Sequence, residues 1–122
     1  MKVAVASDDG KVISSHFGRS RGFVIFEIED GEIKSREYIL NTFTGHARGL
    51  HHTGHHHYDS HATIIENLRD CKAVISHGMG RRLYEDLTSA GIEVYVTDET
   101  DVDKAIELYI KGELRNVSEL LD

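Results

Sequence analysis

KAVISHGMGRRLYEDLTSAGIEVYV, residues 72–96, reads as a strand, a helix and a second strand in immediate succession. Lys72–Ser76 is a short apolar, β-branched run, the pattern of a strand buried on both faces. His77-Gly78-Met79-Gly80 is a tight turn into a helix over Arg81–Ala90, whose Leu83, Leu87 and Ala90 share one face. Gly91 takes the position just past the helix, where a left-handed residue commonly ends it, and Ile92–Val96 is the next buried strand. Such a unit joins two parallel strands by a right-handed crossover.

The same logic extends in both directions. Asp59 or Ser60 caps a helix running to about Arg69, with Ala62, Ile64, Ile65 and Leu68 inward. Thr100 or Asp101 caps a last helix, with Val102, Ala105, Ile106 and Tyr109 inward, ending at Gly112. Near the N-terminus, Lys2–Ala6 (KVAVA) is a third buried strand, closed by the turn Ser7-Asp8-Asp9-Gly10. Lys11–Arg19 reads as a loop or short bent extension. Gly22–Glu29 and Glu32–Leu40 flank Asp30-Gly31, a strong signal for a type I′ hairpin. The second of these strands is polar enough for a sheet edge. The order β, β, β, α, β, α, β, α predicts an α/β domain with a mixed five-stranded sheet, spatial order 3-2-1-4-5, and about three helices over residues 1–112. Residues 113–122 read as a tail with a partial amphipathic turn, and 41–58 as a long His-rich loop.

With 122 residues the chain is long enough for one domain with one substantial core. A net charge of −7 argues against a nucleic-acid partner, which needs clustered Lys and Arg. No apolar run reaches the length of a membrane-spanning helix, so no membrane partner is expected. The opening MKVAVASDDG is too short in apolar residues for a signal peptide. The single cysteine, Cys71, has no partner for an internal disulfide and fits a reducing cytoplasm. It reads as a small buried hydrophobe, with a thiol ligand as the rival reading.

Seven of the nine histidines fall between His46 and His61, in HARGLHHTGHHHYDSH. Imidazole is the commonest protein metal ligand, and His-rich tracts are a compositional sign of metal binding. His51, His52, His55, His56, His57 and His61 are therefore candidate ligands for Zn, Ni, Cu or Fe. The competing reading is a solvated loop whose histidines bind stray metal by mass action. Ligands on a sheet of this order bind beyond the carboxyl ends of strands where the order reverses, here between strands 1 and 4. The residues leaving those ends include His16 and Arg19 on one side and His77, Gly78, Met79, Gly80 and Arg81 on the other. His16 and His77 join the metal candidates, or His16 merely lines a groove. Arg19 offers a planar fork for an anion. The glycines and Arg81–Arg82 suit an anion at a helix N-terminus, or else serve only a tight packing turn. Asp8, Asp9, Asp70 and Asp98 raise a rival, Mg-dependent phosphohydrolysis.

Taken together, MKVAVASDDG, the Ser14-Ser15-His16-Phe17-Gly18-Arg19 stretch, the Asp-Gly hairpin, Gly78-Met79-Gly80-Arg81-Arg82 and Gly91-Ile92-Glu93-Val94-Tyr95 resemble the dinitrogenase iron–molybdenum cofactor biosynthesis family. That family contains NifX and the C-terminal domain of NifB, and the resemblance covers about residues 1 to 111. It implies a ribonuclease-H-like fold. It also implies non-catalytic binding or carriage of a metal–sulfur cofactor of the iron–molybdenum type, or of its precursor. A protein that delivers or receives the cofactor is the implied partner, with the chain itself a monomer or small homo-oligomer. His16 carries over as a cofactor contact, and His77 with Gly78–Arg81 matches the second loop. Radical-SAM cysteine motifs are absent, which points to a carrier module rather than a cluster-building enzyme. The dense His tract is not required by the family. Divalent-metal sequestration or sensing through that tract is the alternative function.

Overall fold

A computed structural model describes residues 1–41 and 60–117, with side chains described for all of these except 60–63. Strands β1 (Lys2–Ser7), β2 (Gly22–Glu29), β3 (Glu32–Leu40), β4 (Cys71–Ser76) and β5 (Glu93–Val96) form one sheet in the order β3-β2-β1-β4-β5. The helices are α1 (Ser60–Leu68), α2 (Arg81–Ser89) and α3 (Val102–Lys111). β1 runs antiparallel to β2 and parallel to β4, and β4 is parallel to β5. This is the mixed, ribonuclease-H-like arrangement expected from the sequence.

Strand alternation divides the core in two. Ala4, Ala6, Phe23, Val74, Val94 and Val96 face Ile64 and Leu68 of α1 and Leu83 and Leu87 of α2. Val3, Val5, Val24, Phe26, Ala73 and Ile75 face Val102, Ala105 and Ile106 of α3. Burial on both sides explains why β1 and β4 read as continuous apolar runs rather than alternating ones. β3 is the edge, exposed at every residue except half-buried Ile39. Its face is tied down by polar contacts. Arg36 stacks 5.6 Å from the Phe26 ring centre and pairs with Asp103 at 3.1 Å, and the Tyr38 hydroxyl lies 3.1 Å from the carbonyls of Ser7 and Asp8.

The element ends follow local chemistry. Asp30 (φ 53°) and Gly31 (φ 75°) make the tight hairpin. Asp101, rather than Thr100, caps α3, accepting from the Lys104 amide at 2.8 Å. Gly91 (φ 86°) ends α2, and the Ile92 amide returns to the Leu87 carbonyl at 3.1 Å.

Two segments are held by bonds that the sequence does not announce. Lys11–Ile13 is knitted in on both sides, Ile13 bridging Ser7 and Val12 bridging Asp101. Glu113–Val117 forms neither helix nor strand, and the rest of the tail, 118–122, lies outside the described residues. Val117 donates to the Val96 carbonyl at 2.6 Å, and the Asn116 amide both accepts from Val96 N and donates to Val94 O. These bonds meet groups on the edge of β5 that no neighbouring strand pairs.

Gly22, at the start of β2, pairs with Leu40 of β3. An added Cβ would strike the Ile39 carbonyl and come within 2.6 Å of the Tyr38 ring. At Gly80 an added Cβ meets nothing within 4 Å. Gly22→Ala should therefore lower unfolding free energy by about 2–3 kcal/mol, whereas Gly80→Ala should cost no more than about 1 kcal/mol. Urea denaturation of the two variants checks the contrast.

Candidate functional site

Beyond the carboxyl ends of β1 and β4, two loops are hydrogen-bonded to each other. The His77 amide donates to the Ser14 carbonyl at 3.0 Å, and the Phe17 amide donates to the Gly78 carbonyl at 3.2 Å. Fully buried Ser76 lies between them. Its hydroxyl is 2.5 Å from the Gly78 carbonyl and 3.2 Å from the Ser14 carbonyl, and it accepts from the Gly78 amide. Ser14 is itself anchored by its amide to the Ala6 carbonyl at 2.8 Å. His16 and His77, 61 positions apart (77 − 16), thus lie on directly bonded segments. Phe17 closes the base of this region. It is fully buried in the same core cluster as Met79 and Leu83, with its ring 5.0 Å from that of Phe23.

The candidate side chains differ in what they offer. His16 is exposed. His77 is half-buried, and its Nδ1 is shut away from solvent without a hydrogen-bond partner. Met79 is 1% exposed and spends its side chain on packing. Arg81 and Arg82 are exposed, and so is Arg19, the last residue of the short turn Phe17–Arg19. None of these three forms an ion pair among the described residues, whereas Arg36, Arg69 and Arg115 pair with Asp103, Glu66 and Asp98. Helix α2 starts beside them at Gly80, with no side-chain cap and no acid in its first turn. Its first amides and positive pole are left to whatever anion approaches.

The carboxylates considered for a magnesium site are otherwise engaged. Asp9 accepts from the amides of Val12 (2.9 Å) and Lys11 (2.8 Å), which hold its carboxyl below the ordinary range. Asp8 accepts from the Arg21 amide at 2.7 Å. Asp70 pairs with Lys2 and Asp98 with Arg115. Among the described residues no three His, Cys, Asp or Glu side chains come together as a metal site. His51, His52, His55, His56 and His57 lie outside the described residues, and so does the side chain of His61.

The sequence reading gives Ser14 and Ser76 no role, yet they join the two loops. The one legible signal is Ser76 itself, a hydroxyl closing an otherwise apolar strand.

A family model described as dinitrogenase iron-molybdenum cofactor matches residues 1–112. The uncharacterized Methanocaldococcus jannaschii protein MJ0580 is 37% identical over 114 residues, covering 93% of this chain and 89% of the relative. MJ0327 of the same organism is 33% identical over 118 residues, covering 97% and 95%. The crystal structure of MJ0327 matches with a TM-score of 0.70 over 97% of this chain and 95% of that one, at 30% identity. PH0822 matches with a TM-score of 0.73 at 29% identity, covering 98% and 99%.

Cys71 starts β4, at the end of the strand away from the two bonded loops. It is 5% exposed, and burial pushes its thiol up to about 12. The two bonded loops therefore have no thiolate beside them among the described residues. Iodoacetamide at pH 8 should label Cys71 at less than about one-hundredth of the rate for the urea-unfolded chain, because the thiolate is the nucleophile. Mass spectrometry of timed samples gives the ratio. The sign for stability follows from a folded-state value above the unfolded one. The contribution is whole below about pH 9, the ordinary value, and declines as pH rises toward 12.

Proposed function

We propose that this chain, which belongs to the dinitrogenase iron–molybdenum cofactor family, binds and carries a metal–sulfur cofactor of the iron–molybdenum type, or its metal ions, without transforming it. The crevice lies between the loop after β1 and the turn after β4. The observation that carries this reading is the His77 imidazole, whose buried Nδ1 lacks a partner on a segment bonded to the one bearing His16. A buried polar atom left unsatisfied costs about 1–3 kcal/mol, a cost that a bound group can relieve.

The donor set suits a cargo that brings its own sulfur. Two imidazoles are available to a metal, and no thiolate is near among the described residues. Arg19, Arg81, Arg82 and the uncapped start of α2 oppose the negative charge of a cluster. Carboxylates that could turn the crevice into a hydrolytic centre are already bound to amides or cations. Binding and release to a delivering or receiving protein is what such a site does chemically. The His tract from His46 to His61 recruits metal toward it.

Anaerobic reconstitution with Fe(II), molybdate and sulfide, followed by gel filtration and metal analysis, tests the reading. The parent chain should retain metal and sulfide with a visible charge-transfer band. The His16→Ala/His77→Ala variant should bind at least about tenfold more weakly, the loss expected when metal-supporting groups are removed. A variant with Ser at His51, His52, His55, His56 and His57 should keep the band. If the double variant binds like the parent while the tract variant does not, the function belongs to the tract and the crevice reading fails.

A further inference from the structure

The opposite end of the sheet carries a second concave surface. An open groove of about 630 Å³ lies where the end of α3 meets the β2–β3 hairpin. Its lining combines apolar Ile28 and Ile110, the rings of Tyr95 and Tyr109, and the carboxylates of Glu29 and Asp30. The two rings meet edge to face, with centroids 5.4 Å apart and planes at 90°. That volume is in the range of small-molecule sites.

The side chains lining this groove carry charge of one sign only. Glu29 and Asp30 form no ion pair among the described residues, and Glu29 stands directly across the ladder from Glu32. Like charges opposite one another on a sheet destabilise it unless a cation intervenes. α3 ends here, so its negative pole adds to the same field. Positive groups nearby are mostly committed. The Met1 ammonium, which also lines the groove, bonds Glu27 at 2.9 Å and the Ile28 carbonyl at 2.7 Å, and Lys72 pairs with Glu93 at 3.8 Å. Lys111, in the last turn of α3, offsets part of the helix pole. Burial, then the charge of Glu93, raises the Tyr109 hydroxyl above its ordinary range, in keeping with a partly desolvated, negative setting.

We propose that this groove binds an alkylguanidinium or alkylammonium group. The apolar stem covers Ile28 and Ile110. The cationic head lies against the tyrosine rings and is held by Glu29 and Asp30. A cation on an aromatic face gains from the ring quadrupole, and more so where water is excluded. A bare anion meets a field of its own sign here, and a neutral ligand leaves the carboxylates unanswered. The site is independent of the cofactor crevice.

Amide and aromatic NMR spectra of the full chain, titrated with three probes, test this. Agmatine supplies a free alkylguanidinium. N-acetyl-arginine-N-methylamide stands for an arginine on a partner polypeptide. Butylurea is the neutral isostere. One or both cations should shift the Gly31 amide and the Tyr95 and Tyr109 ring signals in a saturable way. Tighter binding of agmatine identifies a free amine, and tighter binding of the blocked arginine identifies a partner's side chain. Glu29→Gln/Asp30→Asn should weaken cation binding at least about tenfold with an otherwise unchanged spectrum, since Asn tolerates the left-handed conformation at position 30. The proposal is overturned if butylurea binds as tightly as agmatine, if the double variant binds like the parent, or if no probe shifts these signals.

Discussion

The structure depends on β1 being buried on both faces and paired on both edges. Val3, Ala4, Val5 and Ala6 have no measurable exposure, so no water meets their backbone groups. β2 and β4 must supply every partner, one antiparallel and one parallel. The obligation continues past the end of the strand, where the Ala6 carbonyl is met by the Ser14 amide. Returning the chain to make that bond brings Ser14 against Ser76 and His77. The joining of the two loops is thus a consequence of satisfying the centre of the sheet.

Of the helix N-termini at the carboxyl ends of the parallel strands, those of α2 and α3 are treated differently by the sequence. α3 opens with Asp101 as its cap and Asp103 in its first turn. α2 opens with Gly80, no acid, and Arg81 and Arg82 as its first two residues. Basic side chains at a positive helix pole are mildly unfavourable, by about 0.3–1 kcal/mol each at an exposed site. A chain with a net charge of −7 has ample acid with which to neutralise them. Yet Arg19, Arg81 and Arg82 have no ionic partner among the described residues, while Arg36, Arg69 and Arg115 do.

Much of the fold was legible because it rests on periodicity and local backbone chemistry. Apolar runs located β1 and β4, and Asp30-Gly31 located the hairpin. Gly91 located the end of α2. The strand order followed from connection rules once the elements were named. Glu113–Val117 was not legible, because its conformation is fixed by one side chain, Asn116, imitating a strand's peptide group against β5. The approach of the loop after β1 to the turn after β4 was legible as topology. The means of that approach was not, since two serine hydroxyls carry no periodic signal. Met79 stood among the candidate contacts by its place in a glycine-rich turn. Its burial against Leu83 follows from packing that only the folded chain defines.

The two ends of the sheet carry opposite signs, and the orientation of the helices accounts for part of this. Parallel strands joined by helices point every helix N-terminus toward the carboxyl ends of the strands and every C-terminus the other way. The fold therefore begins with a positive pole over the crevice and a negative pole over the hairpin. Side chains add to this unevenly: Arg19, Arg81 and Arg82 near α2, and Glu29 and Asp30 beside the end of α3, have no ion pair among the described residues, whereas Asp101 and Asp103 answer the positive pole of α3 and Lys111 its negative one. Random placement of surface charge tends to oppose helix poles as often as it strengthens them. Around the start of α2 and beside the end of α3 the charges run with the helix pole rather than against it, and packing alone gives no reason for either.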